Sequence, residues 1–237
     1  MKWYDFFKRH KDGRHGRVGG DLVALCSSKG QADSDRSCLR MFEEELARQS
    51  NGDWLSGSRD AQKSFSKCLI DTAKANGLFI PRPDWNSFGE RRMLQSGESV
   101  IYTNPNQGLV YKVCDPFAKL HLKSQNLNHI LYEHVFHNIL FPDTRYSFVG
   151  ISEEFDDVRI VLSQQFFFET GTPTQEQIDT HLASLGLMPE DRYCYGNEQV
   201  AVTDVNATGD NVLLASDGKL LFIDPIIKVK KDMSILL

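Results

Sequence analysis

The segment from Asp204 to Pro225 limits what this chain can fold into more tightly than any other. An Asp- and Asn-rich loop, Asp204-Val205-Asn206-Ala207-Thr208-Gly209-Asp210-Asn211, leads into the apolar run Val212-Leu213-Leu214. The turn composition Ser216-Asp217-Gly218-Lys219 follows, and a second apolar run, Leu220 to Ile223, ends at Asp224-Pro225. Asp-Gly between two short apolar runs predicts a hairpin, because so tight a turn needs residues that accept a positive φ. A hairpin closed there brings the start of its first strand beside the end of its second, so Asn211 and Asp224 are expected at one end. Two side-chain oxygens so placed suit a hard, octahedral Mg²⁺ that also holds phosphates. Asn, Asp and Gly build ordinary turns as well, so the rest of the chain decides what the segment means.

The residues before it divide at Ile80-Pro81-Arg82-Pro83-Asp84, where two close prolines exclude regular helix. Upstream, Leu39, Phe42 and Leu46 within Ser37–Gln49, and Phe65, Leu69, Ile70 and Ala73 within Ala61–Ala75, recur at helical spacing. Two amphipathic helices are expected there, and their apolar faces need a surface; the later residues 175–230 are one candidate. Downstream, β-prone Ser99–Tyr102 and Leu109–Val113 flank the turn composition Asn104–Gly108, which predicts a hairpin. A helix is expected from about Leu122 to Leu140, then strands over Tyr146–Ile151 and Val158–Phe168 joined by an acidic loop, Ser152–Asp157. Another helix is expected over Thr174–Leu185, opened by Thr174 with Glu176 and Gln177 in its first turn. The expected class is α+β, with a helical N-terminal extension over 1–84 and a second domain over 85–237.

At 237 residues the chain is long enough for a substantial core. Its 41% hydrophobic and 25% charged residues lie near the globular average and exclude wholesale disorder. A net charge of -5 gives no general attraction to phosphate polymers or anionic membranes, so neither nucleic acid nor a membrane is expected as partner. Cys26, Cys38, Cys68, Cys114 and Cys194 are widely spaced with no CxxC pair, as in reduced cytosolic proteins. The first residues, Met1 to Asp5, carry charge where a signal peptide is apolar, and no run reaches membrane-spanning length. A soluble, cytoplasmic chain is expected. The basic cluster Lys8, Arg9, His10, Lys11, Arg14, His15 and Arg17 reads as a solvated face. His129, His134 and His137 share a helical region without an acidic partner at ligand spacing, and no Gly-x-Ser-x-Gly elbow occurs.

Phosphoryl transfer needs a cation on the phosphates, oxygen ligands on a metal ion and a group that orients the attacking hydroxyl. The chain offers each in order. Lys112 lies mid-strand near Val110 and Val113, where an ammonium group is costly to bury unless it is paired or bound to an anion. Glu133 on the following helix is a candidate partner. A strand lysine taken alone is usually an edge or solvent-facing residue, so the pair gains meaning only beside the loop and hairpin.

Taken together, the Asp204–Asn211 loop, the Asp-Gly turn and the Ile223-Asp224-Pro225 ending resemble the catalytic loop and metal-binding segment of the protein-kinase-like superfamily. The resemblance is closest to the small divergent kinase-like domains of polyvalent proteins in phage and mobile elements, covers about residues 88–230, and is more distant to the aminoglycoside phosphotransferases. It implies a minimal bilobal kinase-like fold, with an N-lobe over about 88–168 and a reduced C-lobe over about 169–237. It implies ATP and Mg²⁺ as cofactors. Lys112 would contact phosphate, Glu133 would hold Lys112, and Asn211 and Asp224 would hold the metal. Gly97, in Gln95–Ser99, falls where a nucleotide-covering loop belongs, and Gln164, Gln165 and Phe166 fall near the adenine hinge. In the family the catalytic Asp precedes the metal-binding Asn by five positions; here Asp204 precedes Asn211 by seven, and Asn206 stands at the family spacing. Asp204 is taken as the catalytic carboxylate, with Asp210 as the other candidate. The implied activity is transfer of a phosphoryl group to an unidentified hydroxyl on a protein or small molecule. A pseudokinase that binds nucleotide or protein without turnover is the alternative, favoured by the longer loop and the single glycine at 97. A binding domain unrelated to kinases is the third reading.

Overall fold

The computed structural model describes residues 31–49, 58–92, 99–118, 127–167 and 171–230. Gly97 and the basic cluster of residues 8–17 lie outside them. Helices α1 (Gln31–Gln49) and α2 (Arg59–Ala75) form where apolar spacing predicts them. Helix α2 starts at Arg59 because Ser58 caps it: the Ser58 hydroxyl accepts the Ala61 N–H at 3.2 Å, and Asp60 complements the positive end of the helix.

A five-stranded antiparallel sheet follows, built from β1 (Glu90–Arg92), β2 (Ser99–Asn104), β3 (Leu109–Cys114), β4 (Tyr146–Glu154) and β5 (Asp157–Gln165). Its order is β1-β2-β3-β5-β4, so β3 is the central strand. Helix α2 packs along β4 and β5, and the Phe42 ring of α1 meets Phe148 of β4 edge-on at 6.1 Å. This sheet is the surface that takes the apolar helix faces for which the sequence suggested residues 175–230; Phe42, Leu46, Phe65 and Leu69 are all buried.

The acidic stretch 152–157 is strand rather than loop. Only Phe155 and Asp156 turn, both at positive φ (54° and 64°), and the strands run to Glu154 and from Asp157. Two successive residues at positive φ make a two-residue turn that suits the strand twist, and the acidic side chains have partners: Arg59 meets Asp157 at 3.3 Å, Lys74 meets Glu153 at 3.1 Å and Arg82 meets Glu154 at 2.9 Å. Basic residues far back in the chain thus give these acidic side chains partners within the sheet.

The Pro81–Pro83 segment is stitched to the β4 edge. Ile80 N–H donates to Ile151 O at 2.8 Å, and Ile151 N–H donates to Leu78 O at 2.9 Å. Trp85, on the 3₁₀ helix Arg82–Phe88, donates its indole N–H to Ser152 Oγ at 2.9 Å, and Ser152 donates to Ile80 O at 2.6 Å. The approach is so close that a Cβ on Gly150 would stand 2.5 Å from Leu78 O. On the face carrying Tyr111 and Val113, Trp85, Phe88, Tyr102, Val113 and Val161 form a core cluster.

The expected helix over 122–140 begins, among the described residues, as a 3₁₀ helix (Leu127–Tyr132) and becomes α-helix α3 (Glu133–Leu140). Described residues up to Val135, with Tyr146–Phe166, form one compact unit; Phe136–Arg145, with described residues from Phe167 onward, form a second.

The second unit holds helix α4 (Gln175–Ser184) and two small antiparallel sheets. Thr174 and Gln177 form a reciprocal capping box at the start of α4. One sheet orders as β11-β8-β7-β6, from β6 (Met188–Asp191), β7 (Cys194–Gly196), β8 (Val200–Thr203) and β11 (Ile226–Val229). The other is the expected late hairpin, β9 (Val212–Leu214) with β10 (Leu220–Phe222). Among the described residues no helix is long and apolar enough to cross a membrane.

Candidate active site

Lys112 stands on the central strand β3, opposite Ile101 of β2 and Leu162 of β5, and is only 5% exposed. Side chains alternate along a strand, so Lys112 faces away from the core cluster that takes Val113. The ordinary edge or solvent position of a strand lysine is therefore excluded. One partner of its ammonium is the Tyr146 hydroxyl on β4, which accepts a hydrogen bond at 2.6 Å while the tyrosine ring lies 4.8 Å from the nitrogen. A hydrogen bond involving a charged group contributes roughly 1.5–3 kcal/mol and helps offset the desolvation of a buried ammonium. Tyr146 went unnoticed in the sequence because its strand lies 34 residues further on, two strands across the sheet. Glu133 opens α3 and is half-buried. Gln165 is exposed at the end of β5 opposite Leu109, Gln164 is buried, and Phe166 N–H donates to Gly108 O at 2.8 Å.

In the second unit the late hairpin has the expected register. Phe222 pairs with Val212, and one step further Ile223 N–H donates to Asn211 O at 2.8 Å. Asn211 and Asp224 therefore share one end of the hairpin. The strand leading to Asp224 is held at Phe222, whose carbonyl accepts from Thr144 Oγ at 2.7 Å and from His137 Nε2 at 3.0 Å. Its ring stacks on Phe141 at 4.4 Å and on His181 at 5.2 Å. Burial pushes the His181 imidazole below its ordinary pKa, with the nearby Asp143 carboxylate acting the other way. His137 is thus a structural donor, and His134, stacked on Phe148, packs within the first unit.

The loop from Asp204 to Asn211 is fixed at several points. Val205 is fully buried and anchors it. Asn211 Nδ2 donates to Asp204 O at 3.0 Å, closing the loop on itself. That bond uses the amide nitrogen, so the carboxamide oxygen is the end suited to a cation. Asp204 sits at φ 62°, a left-handed conformation that costs a non-glycine residue on the order of 1 kcal/mol and that Asp tolerates better than most. The two residues beyond the family spacing go into a turn: Gly209 N–H donates to Asn206 O at 3.1 Å, and the Thr208 hydroxyl donates to Asn206 Oδ1 at 2.8 Å. Asn206 is thereby engaged within its own turn. Asp210 and Asp224 are exposed and Asp204 is half-buried.

A family model described as a serine/threonine/tyrosine kinase found in polyvalent proteins matches residues 62–231, nearly three quarters of the chain. The chain belongs to this kinase family. No curated protein and no solved structure matches it. The kinase match takes in Lys112, Glu133, the 204–211 loop and Asp224 together. With the helical start and antiparallel sheets it makes the fold a small kinase-like α+β fold, and the general activity of the family is kinase-like phosphoryl transfer. Among the described residues no group of three or more His, Cys, Asp or Glu side chains is placed to hold a metal. One carboxylate with one carboxamide is a donor set for Mg²⁺, which keeps several waters and takes further oxygens from phosphates.

Proposed function

We propose that the chain is an ATP- and Mg²⁺-dependent phosphotransferase acting on a hydroxyl of a protein or small molecule. The observation that supports this reading is the hairpin register: the backbone Ile223–Asn211 hydrogen bond brings Asn211 and the start of Asp224 to one end of the hairpin, beside a loop rich in acidic residues. Lys112 binds the phosphates, as its burial in the central strand fits a group meant for an anion. Glu133 orients Lys112. Asn211 and Asp224 hold the metal, which when bound neutralises phosphate charge. Gln165, near the end of β5, and Gly97 contact the nucleotide. Asp204 orients the acceptor hydroxyl and takes its proton as the oxygen attacks the γ-phosphorus; the bond to the β–γ bridging oxygen breaks and ADP leaves. Asp210 is the other carboxylate suited to that role.

A second reading, a pseudokinase that binds nucleotide without turnover, is favoured by one observation: the catalytic loop spans seven positions from Asp204 to Asn211 and spends the extra two on a turn. Thermal stabilisation by ATP with and without Mg²⁺, followed by an ATP turnover assay, separates the two. Mg²⁺-dependent stabilisation with turnover selects the enzyme, and stabilisation without turnover selects the binding module. No stabilisation by ATP under either condition rejects both.

A further inference from the structure

The loop 204–211 is gripped from outside by a polar trio that the sequence did not single out. Gln175 and Asp179 lie one helical turn apart at the start of α4, and Tyr195 lies on β7. The Tyr195 hydroxyl donates to Asp179 Oδ1 at 2.5 Å. Gln175 Nε2 donates to the same Asp179 oxygen at 2.9 Å and to the Tyr195 oxygen at 2.9 Å. Gln175 Oε1 then accepts the backbone N–H of Ala207, in the middle of the loop, at 3.0 Å.

The orientation of the Gln175 amide follows from its neighbours. A carboxylate only accepts hydrogen bonds, and a tyrosine hydroxyl whose proton is spent on that carboxylate can only accept another. The amide nitrogen must therefore face Asp179 and Tyr195, and the amide oxygen is turned to the loop. A flipped amide would set NH₂ against the Ala207 N–H and oxygen against the carboxylate. Tyr195 is buried, and burial together with the Asp179 bond pushes its hydroxyl pKa up to about 12, so it stays protonated as a donor at any working pH.

We propose that Gln175, oriented by Asp179 and Tyr195, is a positioning residue that fixes the 204–211 loop at Ala207 and so sets the placement of the carboxylate facing the acceptor hydroxyl. The loop has three kinds of tether: the buried Val205 side chain, the Asn211 amide on Asp204 O, and this grip on Ala207. Of these, the grip on Ala207 comes from a separate helix, and it falls inside the stretch where the loop exceeds the family spacing. A longer loop has more conformations to lose, and an external hydrogen bond at its middle restrains them. Gln175 acts on the loop backbone and touches no reacting atom. The proposal rests on the phosphotransfer reading above.

The test uses the full chain with ATP and Mg²⁺, water as acceptor, and the variants Gln175→Glu, Gln175→Ala, Tyr195→Phe, Asp179→Asn and Asp179→Ala. Gln175→Glu keeps size and an oxygen for Ala207 but sets two carboxylates together, so it should act like Gln175→Ala. Both should lower kcat by about 10- to 100-fold while the nucleotide KM stays within about threefold, since misplacement of a reacting group affects the transition state more than binding. Asp179→Asn, which keeps an acceptor, should lose less than Asp179→Ala. Independently of turnover, hydrogen exchange at the Ala207 amide should speed up about tenfold in Gln175→Ala, which offers no acceptor, the order expected for losing one hydrogen bond. If Gln175→Ala fails to fold, Gln175→Glu and Tyr195→Phe carry the comparison. An unchanged kcat in folded Gln175→Glu, or Ala207 exchange equal to wild type in Gln175→Ala, overturns the proposal. If the wild-type chain shows no ATP turnover, the phosphotransfer reading fails and with it the catalytic purpose of the grip, while the exchange result still decides whether Gln175 holds the loop.

Discussion

Lys112 and Asp224 carry opposite charges and have opposite surroundings. Lys112 is buried in the central strand of a five-stranded sheet, with a tyrosine hydroxyl on its ammonium and strands on either side. Asp224 is exposed just beyond a three-residue strand, and its placement depends on a few hydrogen bonds to its neighbours at Phe222 and Ile223. The lysine is thus positioned by the packing of a whole sheet, and the strand leading to the aspartate by hydrogen bonds at Phe222 and Ile223 together with the stacked Phe222 ring. Charge changes at the lysine should separate activity from stability, whereas changes around the aspartate should disturb placement at small cost in stability.

The largest expected effect is on turnover. Lys112→Ala and Asp224→Ala should each reduce phosphoryl transfer from ATP on the order of a hundredfold or more, as expected when a charge-stabilising group is removed. Full activity in both variants would remove the roles assigned to them. Next comes stability within the first unit. Phe65→Ala should cost about 3–5 kcal/mol in chemical denaturation, since Phe65 is fully buried between helix and sheet. Lys112→Met should cost about 1–3 kcal/mol, because it removes the ammonium that bonds the buried Tyr146 hydroxyl, a small loss beside the fall in turnover. A larger loss of stability in Lys112→Met would show that the ammonium serves the fold.

Smaller effects should appear around Phe222. Thr144→Val removes one of the two donors on the Phe222 carbonyl and should cost about 1 kcal/mol in denaturation, with a measurable fall in turnover. No change in either would mean that the hydrogen bond does not position the strand ending at Asp224. The smallest effect is on pH dependence. His181 has a folded pKa lowered by burial from 6.5, so the unfolded chain binds its proton first as pH falls. Wild type should lose stability relative to His181→Phe as pH drops below about 6.5, until the lowered folded pKa is passed. Thermal melts that show a pH-independent difference between the two would contradict this assignment.

Much of the fold was legible where apolar spacing and turn chemistry agree. The faces of α1 and α2, the Asn104–Gly108 turn, the Thr174 cap and the Asp217-Gly218 hairpin all appear in the structure as the sequence predicts. The stretch from Ser152 to Asp157 was misjudged because its acidic side chains look like loop until Arg59, Lys74 and Arg82 are known to stand beside them. Strands β1, β6, β7 and β11 were missed because each is only three or four residues long, too short to show a period, and β6 is exposed throughout. At the candidate site, the hairpin end carrying Asn211 and Asp224 was visible because it depends on adjacent residues. Tyr146 beside Lys112, and Gln175 beside Ala207, were invisible because each partner comes from an element 32 or more residues away.

The most direct measurement of the central claim is the rate of ATP turnover by the full chain at saturating Mg²⁺ and ATP, compared with that of Asp224→Ala under the same conditions. Turnover in the wild-type chain that falls on the order of a hundredfold in the variant is the expected result. Equal rates in the two proteins would contradict the placement of phosphoryl-transfer chemistry at this hairpin.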